Sequence, residues 1–142
     1  MVSDDAWVSD DSWVCGNARV SGNAWVYGNA RVYGNARVYG NARVSDDARV
    51  SGNALVSGNA QIQSNKDYSI VSGFGSSCRT TTFFKLKNND IGVKCGCFYG
   101  TLEEFRNKVK ETHKDTKYAK EYLMLADLME FKFKDQEETK ND

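Results

Sequence analysis

The chain has 142 residues, with 19 Lys and Arg against 19 Asp and Glu, one His, four Cys, twelve Gly and no Pro. A formal charge of zero gives no general electrostatic grip on nucleic acid or an anionic membrane, and no apolar run approaches the roughly 20 residues that span a bilayer. The N-terminus, MVSDDAWVSDD, is acidic and lacks the basic start of a secretory signal, so a cytoplasmic protein with reduced thiols is expected.

An internal repeat decides the fold before any single motif does. Valine stands at positions 2, 8, 14, 20, 26, 32, 38, 44, 50 and 56, and Ile62 continues the series. Two residues before each, from Val8 onward, sits a small residue, Ser12 once and otherwise Ala, from Ala6 to Ala60. Trp, Arg, Leu or Gln lies between them. The remaining pair is Gly-Asn in most units and Asp-Asp at 4–5, 10–11 and 46–47. Ala-x-Val alternates inward, outward, inward, which is the period of a strand. Gly, Asn and Asp tolerate the positive φ of a corner. A corner in every six-residue unit excludes an amphipathic helix and leaves strands too short for hairpins.

The repeated V-[SY]-G-N-A-[RW] unit resembles the hexapeptide-repeat proteins, which fold as left-handed parallel β-helices. The resemblance covers residues 2–62 and implies triangular coils of three units, so that residues 18 apart stack around a column of Val and Ala. Stacking sorts the outward residues into three faces. One carries Trp7, Trp25, Arg43 and Gln61, a second Trp13, Arg31 and Arg49, and the third Arg19, Arg37 and Leu55. Tyr27, Tyr33 and Tyr39 follow Val positions, as does Cys15, which reads as a surface substituent. Aromatic and Arg side chains are the types enriched at protein interfaces. Trp7, Trp13, Trp25, Tyr27, Tyr33, Tyr39, Arg31, Arg43 and Arg49 are therefore the expected partner-binding or oligomer surface; the bland alternative is rung-to-rung packing on a solvated face. The resemblance implies side-by-side trimers, and a host or phage protein is the other expected partner. Asp4, Asp5, Asp10 and Asp11 are expected to protect an open β-edge at the first coil from uncontrolled stacking, with a cation site or defined end-to-end pairing as alternatives.

The period dissolves after residue 62. Ser69–Gly75 and Arg79–Lys87 read as strands, Asn88-Asn89-Asp90 as a turn, and Ile91–Tyr99 as a third strand with Ile91, Val93, Cys95 and Cys97 on one face. Thr101-Leu102-Glu103-Glu104 is a helix-opening signature, followed by a stripe of Leu102, Phe105, Val109 and Thr112. A second helix starts at Asp115 or Thr116 and lines one side with Tyr118, Tyr122, Leu125 and Met129, with Leu128 close by. Polar residues after Lys134 read as a frayed tail. The expected architecture is a β-solenoid, a left-handed parallel β-helix, over residues 1–65, a small α+β capping domain over 66–134 and a disordered tail over 135–142. The tract C-G-C-F-Y-G-T-L-E-E-F-(x3)-V-(x3)-H, with K-Y-A-K-E-Y-L after it, resembles the C-terminal domain of uncharacterised hexapeptide-repeat proteins of prophages and gut-bacterial mobile elements. That resemblance carries no chemistry and implies a viral origin.

Hexapeptide acyltransferases use a His as general base, but the repeats here contain no His and no inserted loop, and His113 is the sole His. The related γ-class carbonic anhydrases hold zinc with three His, which one His does not supply. Cys78, Cys95, Cys97 and His113 form a candidate zinc set, yet C-x-C is a poor chelating spacing and buried thiols commonly pack as small hydrophobes. His113, beside Lys114, reads as a solvated residue favouring a helix C-terminus. Arg106, Lys108, Lys110, Lys114, Lys117 and Lys120 are interleaved with acidic residues, the pattern of a solvated helix face rather than a nucleic-acid stripe. The expected function is a non-catalytic binding or assembly module, phage- or prophage-encoded, cytoplasmic in a bacterial host, homo-oligomeric, acting on proteins, and using no cofactor or metal. An anti-CRISPR-like inhibitor of a host immune effector is its concrete form. The competing readings are an acyltransferase-like enzyme with a displaced active site and a virion accessory protein.

Overall fold

A computed structural model describes residues 2–74, 79–87, 90–95 and 98–140. Its first half holds ten two-residue strands: β1 Trp7–Val8, β2 Trp13–Val14, β3 Arg19–Val20, β4 Trp25–Val26, β5 Arg31–Val32, β6 Arg37–Val38, β7 Arg43–Val44, β8 Arg49–Val50, β9 Leu55–Val56 and β10 Gln61–Ile62. They pair in parallel into three sheets, in the orders β1-β4-β7-β10, β2-β5-β8 and β3-β6-β9. Trp7 aligns with Trp25, and Trp25 with Arg43, so the chain is a three-sided parallel β-solenoid. From Val20 to Val56 every repeat Val is fully buried, as are Ile62 and the repeat alanines from Ala18 to Ala60. A buried valine contributes about 1.5–3 kcal/mol, but a two-residue strand has no partner within its own rung, so stability comes from stacking. Rung joins rung through bonds such as Trp7 N–H to the Ala24 carbonyl, 2.9 Å.

Each corner turns on one residue at positive φ. Glycine does so at 62–67°, and Asp4, Asp10 and Asp46 at 56–59°. Glycine is required where corners stack closely, since a Cβ on Gly40 would lie 2.8 Å from the Gly58 nitrogen. At the first coil the carboxylates of Asp4 and Asp10 accept from the amides of Gly22 (3.2 Å) and Gly28 (3.3 Å). Those two aspartates thus tie the first rung to the second. The following corner residues form amide ladders, Asn17 to Asn35 to Asn53 at 3.3 and 3.5 Å, and Asn23 to Asn41 at 3.5 Å.

The chain leaves the solenoid through a 3₁₀ turn, Asn65–Asp67, closed by a Ser64–Asp67 capping box. Four antiparallel strands follow in chain order: β11 Tyr68–Phe74, β12 Arg79–Lys85, β13 Ile91–Cys95 and β14 Phe98–Thr101. The third strand expected over Ile91–Tyr99 is therefore two, with Cys95 opposite Phe98. The alternation of Ile91, Val93 and Cys95 hides the hairpin signal of the glycine that follows. Cys78, Asn88, Asn89 and Cys97 lie outside the described residues. Two helices complete the chain, α1 Leu102–His113 and α2 Lys117–Lys140. Thr101 and Glu104 form the capping box of α1, and the Thr116 hydroxyl accepts from the Ala119 amide at the start of α2.

The sheet is covered on both sides. On β12, Phe84 is fully buried within the solenoid's core and Thr82 accepts from the Leu55 amide at 3.1 Å. Lys87 N–H reaches the Asn59 carbonyl, and Ala60 bridges to Leu86. Phe83, the alternate residue, points the other way and packs edge-on against Phe105 of α1, 6.0 Å away. Arg106 joins the helices through Asp127 (2.7 Å) and Glu130 (3.0 Å). The small domain thus caps the solenoid's C-terminal end. On the helices, Leu102, Phe105, Val109, Tyr122, Leu125 and Met129 are buried as expected. Thr112 is exposed, Tyr118 is 40% exposed and Leu128 is 54% exposed, while Ala119 and Ala126 of α2 are buried in the second core. His113 is half-buried against Tyr122 rather than solvated. The second helix continues past Lys134 to Lys140, where a frayed tail was expected. Among the described residues, no helix is long and apolar enough to cross a membrane.

Phe84→Ala is expected to destabilise the chain by about 3–5 kcal/mol, and Gly40→Ala by more than about 1 kcal/mol, both read from denaturant unfolding. Tyr99 of β14 lies over the Gly58 corner and accepts from the Asn59 backbone, and burial pushes its phenol above the ordinary 10.0. A phenol raised in the fold contributes stability that is intact below pH 10 and is lost as pH rises beyond it. Tyr99→Phe is expected to flatten that alkaline loss in unfolding curves taken across this range.

Candidate protein-binding faces

The residues singled out for binding sit at the middle position of each Ala-x-Val triplet, or directly after it. The inward Ala and Val force the middle side chain outward, and the rung register places like over like. On the first face the Trp7 and Trp25 rings stack with centroids 5.6 Å apart and 21° between planes. The Arg43 guanidinium lies 4.9 Å from the Trp25 ring, and Tyr27 meets that ring edge-on at 6.4 Å. Trp7 remains 61% exposed.

The second face repeats the arrangement with one aromatic and two cations. Arg31 lies 5.0 Å over the Trp13 ring, and Arg49 pairs with Arg31 in the next rung. Trp13 is 59% exposed. A shallow hollow of about 360 Å³ runs along one flank, between this ladder and the corner residues Asp11, Asn29 and Asp47. A smaller one of about 220 Å³ lies on the other flank, against Cys15 and Tyr33. The third face carries Arg19, Arg37 and Leu55 in register. Tyr39 follows Val38 on that side, so it joins neither Trp ladder. The expected nine-residue surface is thus two ladders on two faces, plus Tyr39.

Among the described residues the close side-chain ion pairs are those of Arg106, while Asp11 and Asp47 line the hollow beside Arg31 and Arg49. Arg over indole keeps each guanidinium flat against a ring with its N–H donors free for a partner.

Of the candidate zinc set, Cys78 and Cys97 lie outside the described residues. Cys95 accepts from the Thr81 hydroxyl at 3.2 Å and lies 4.0 Å from the Tyr122 oxygen, between sheet and helices. Cys15 is exposed on the solenoid. No group of three His, Cys, Asp or Glu among the described residues is placed to hold a metal ion. One apolar surface escaped the sequence analysis: Met124, Leu128 and Phe131 on the outer side of α2, exposed by 70, 54 and 67%. Their spacing of four and three residues was the available signal.

Residues 14–28, 24–39, 30–46, 36–49 and 48–63 match the family model described as YdcK Beta solenoid repeat. The match lies within the solenoid and supports a β-solenoid repeat family for that part of the chain. Neither the curated proteins nor the solved structures compared with the chain gave a match.

Trp7→Ala is expected to remove the exciton signal of the stacked indole pair from circular dichroism. The accompanying stability loss is about 0.5–1.5 kcal/mol in denaturant unfolding, small because the ring is exposed.

Proposed function

We propose that the chain is a non-catalytic binding module whose two Trp–Arg ladders dock a partner protein. The observation that carries this reading is the pair of exposed ladders, Trp7–Trp25–Arg43 and Trp13–Arg31–Arg49, held in register by the parallel rungs. Trp and Arg are the residue types that dominate binding energy in interfaces. A rigid scaffold presents them with little entropy left to lose on docking. Exposed aromatic surface of this extent on a small protein is commonly an interaction site. The repeats also contain no imidazole to serve as the base of an acyl transfer. A host or phage protein is the proposed partner, and an immune effector of a bacterial host, blocked by occupation of its surface, is the version first in line for testing.

The test is capture from a bacterial lysate on the immobilised chain, with mass spectrometry of what is retained. Trp7→Ala, Trp13→Ala and Trp25→Ala combined are expected to leave the fold intact by circular dichroism and to weaken partner retention at least tenfold, a change of about 1.4 kcal/mol. His113→Ala is expected to leave retention unchanged. Undiminished retention by the triple variant would refute the ladders as the docking surface.

A further inference from the structure

A hollow lies on each flank of the Trp13–Arg31–Arg49 ladder, and the two differ in character. The smaller, about 220 Å³, is walled by Trp13, Cys15 and Tyr33 with Arg31 and Arg49, and its lining is almost wholly apolar. The larger, about 360 Å³, is mostly polar. Asp11, Asn29 and Asp47, one from each rung, form its corner wall, and Trp13, Arg31 and Arg49 form its ladder wall. Carboxylates therefore stand on one side of it and guanidinium groups on the other. A lone cation placed there meets Arg31 and Arg49, and a lone anion meets Asp11 and Asp47. A neutral group that donates and accepts at once satisfies both walls, as a carboxamide does. We infer that this face takes an extended segment of a partner protein, with an apolar side chain in the smaller hollow and the carboxamide of an Asn or Gln two positions away in the larger.

Spacing selects the extended form. Asp11, Trp13 and Cys15 occupy every second position along one rung, as do Asn29, Arg31 and Tyr33 along the next. The hollows between those columns are thus two residue steps apart, about 6–7 Å at the rise of a strand. Alternate side chains of an extended segment lie on one side at the same interval. A segment laid along the rungs sets its backbone across the ladder. There Arg31, flat over Trp13 at 5.0 Å, presents its N–H donors to backbone carbonyls. The residue between the two anchors points to solvent. The corner beside the first face is built differently, since Asn23 and Asn41 bond to each other at 3.5 Å and bring no carboxylate to the ladder beside them. The inference rests on the proposed docking function and names the kind of segment that the second face recognises.

The experiment is an array of short randomised peptides probed with the labelled full chain and scored for the residues enriched among those that retain it. The wild-type chain is expected to enrich an apolar residue two positions from Asn or Gln. Tyr33→Ser installs the residue that Ser51 provides one rung on. It is expected to lower retention about tenfold and to erase the apolar preference. Asp11→Asn combined with Asp47→Asn installs the residue that most corners already carry. It leaves the guanidinium groups unopposed and is expected to move the polar preference from Asn and Gln to Asp and Glu. Circular dichroism is expected to be unchanged in every variant. Enrichment of a lone charged residue by the wild-type chain, or a preference that the paired Asp changes do not move, would overturn the inference. So would an array that retains nothing while lysate capture still depends on Trp7, Trp13 and Trp25, a result that keeps the docking reading and removes the extended segment from it. Peptide retention undiminished by the triple Trp variant would remove both.

Discussion

Vertical register between rungs is the constraint on which everything else in this structure depends. A two-residue strand has almost no stability alone, so each unit is held by what lies 18 residues before and after it. Register fixes the buried column of Val and Ala, and with it every corner and every outward position. Gly40 sits over Gly58 with no room for a Cβ, Asn17 over Asn35, and Trp7 over Trp25. The same repetition that builds the core therefore writes continuous ladders on the outside. An aromatic placed twice at one face, as Trp7 and Trp25 are, becomes a stacked pair without any further design.

A stack of parallel rungs needs an ending, because its last turn would otherwise present unpaired backbone groups and the bare end of an apolar column. The C-terminal sheet supplies one by using the two sides of a single strand. Phe84 and Thr82 of β12 point into the solenoid, where the ring closes the column and the hydroxyl takes a free amide. Phe83 and Thr81 point away, toward α1 and α2. The alternation of a strand thus fuses two cores that share no residue pattern, and helix contacts such as Arg106 with Asp127 and Glu130 hold the outer layer in place.

Two kinds of surface remain outside this framework. The solenoid ladders combine flat aromatic rings with guanidinium groups on strands paired from rung to rung. The outer side of α2 exposes three large apolar side chains, Met124, Leu128 and Phe131.

Much of this was legible in residue order. The six-residue period alone implies inward Val, outward Trp and Arg, and corners at Gly-Asn, and the three face assignments follow from it by counting. Thr101 with Glu104 announced the start of α1 through a purely local exchange of hydrogen bonds. Local signals failed where two faces competed. Tyr118 reads as part of the lined side of α2 and Leu128 as close to it, yet both are exposed, while Ala119 and Ala126 are buried. The hairpin between β13 and β14 was hidden by an alternation that suits one long strand as well as two short ones. What the chain's order determined by itself is the solenoid, since a repeat states every contact in the terms of its own period. What only the tertiary structure decided is which sides of the non-repeating elements are covered, because that depends on a partner element distant in sequence, and no local pattern records it.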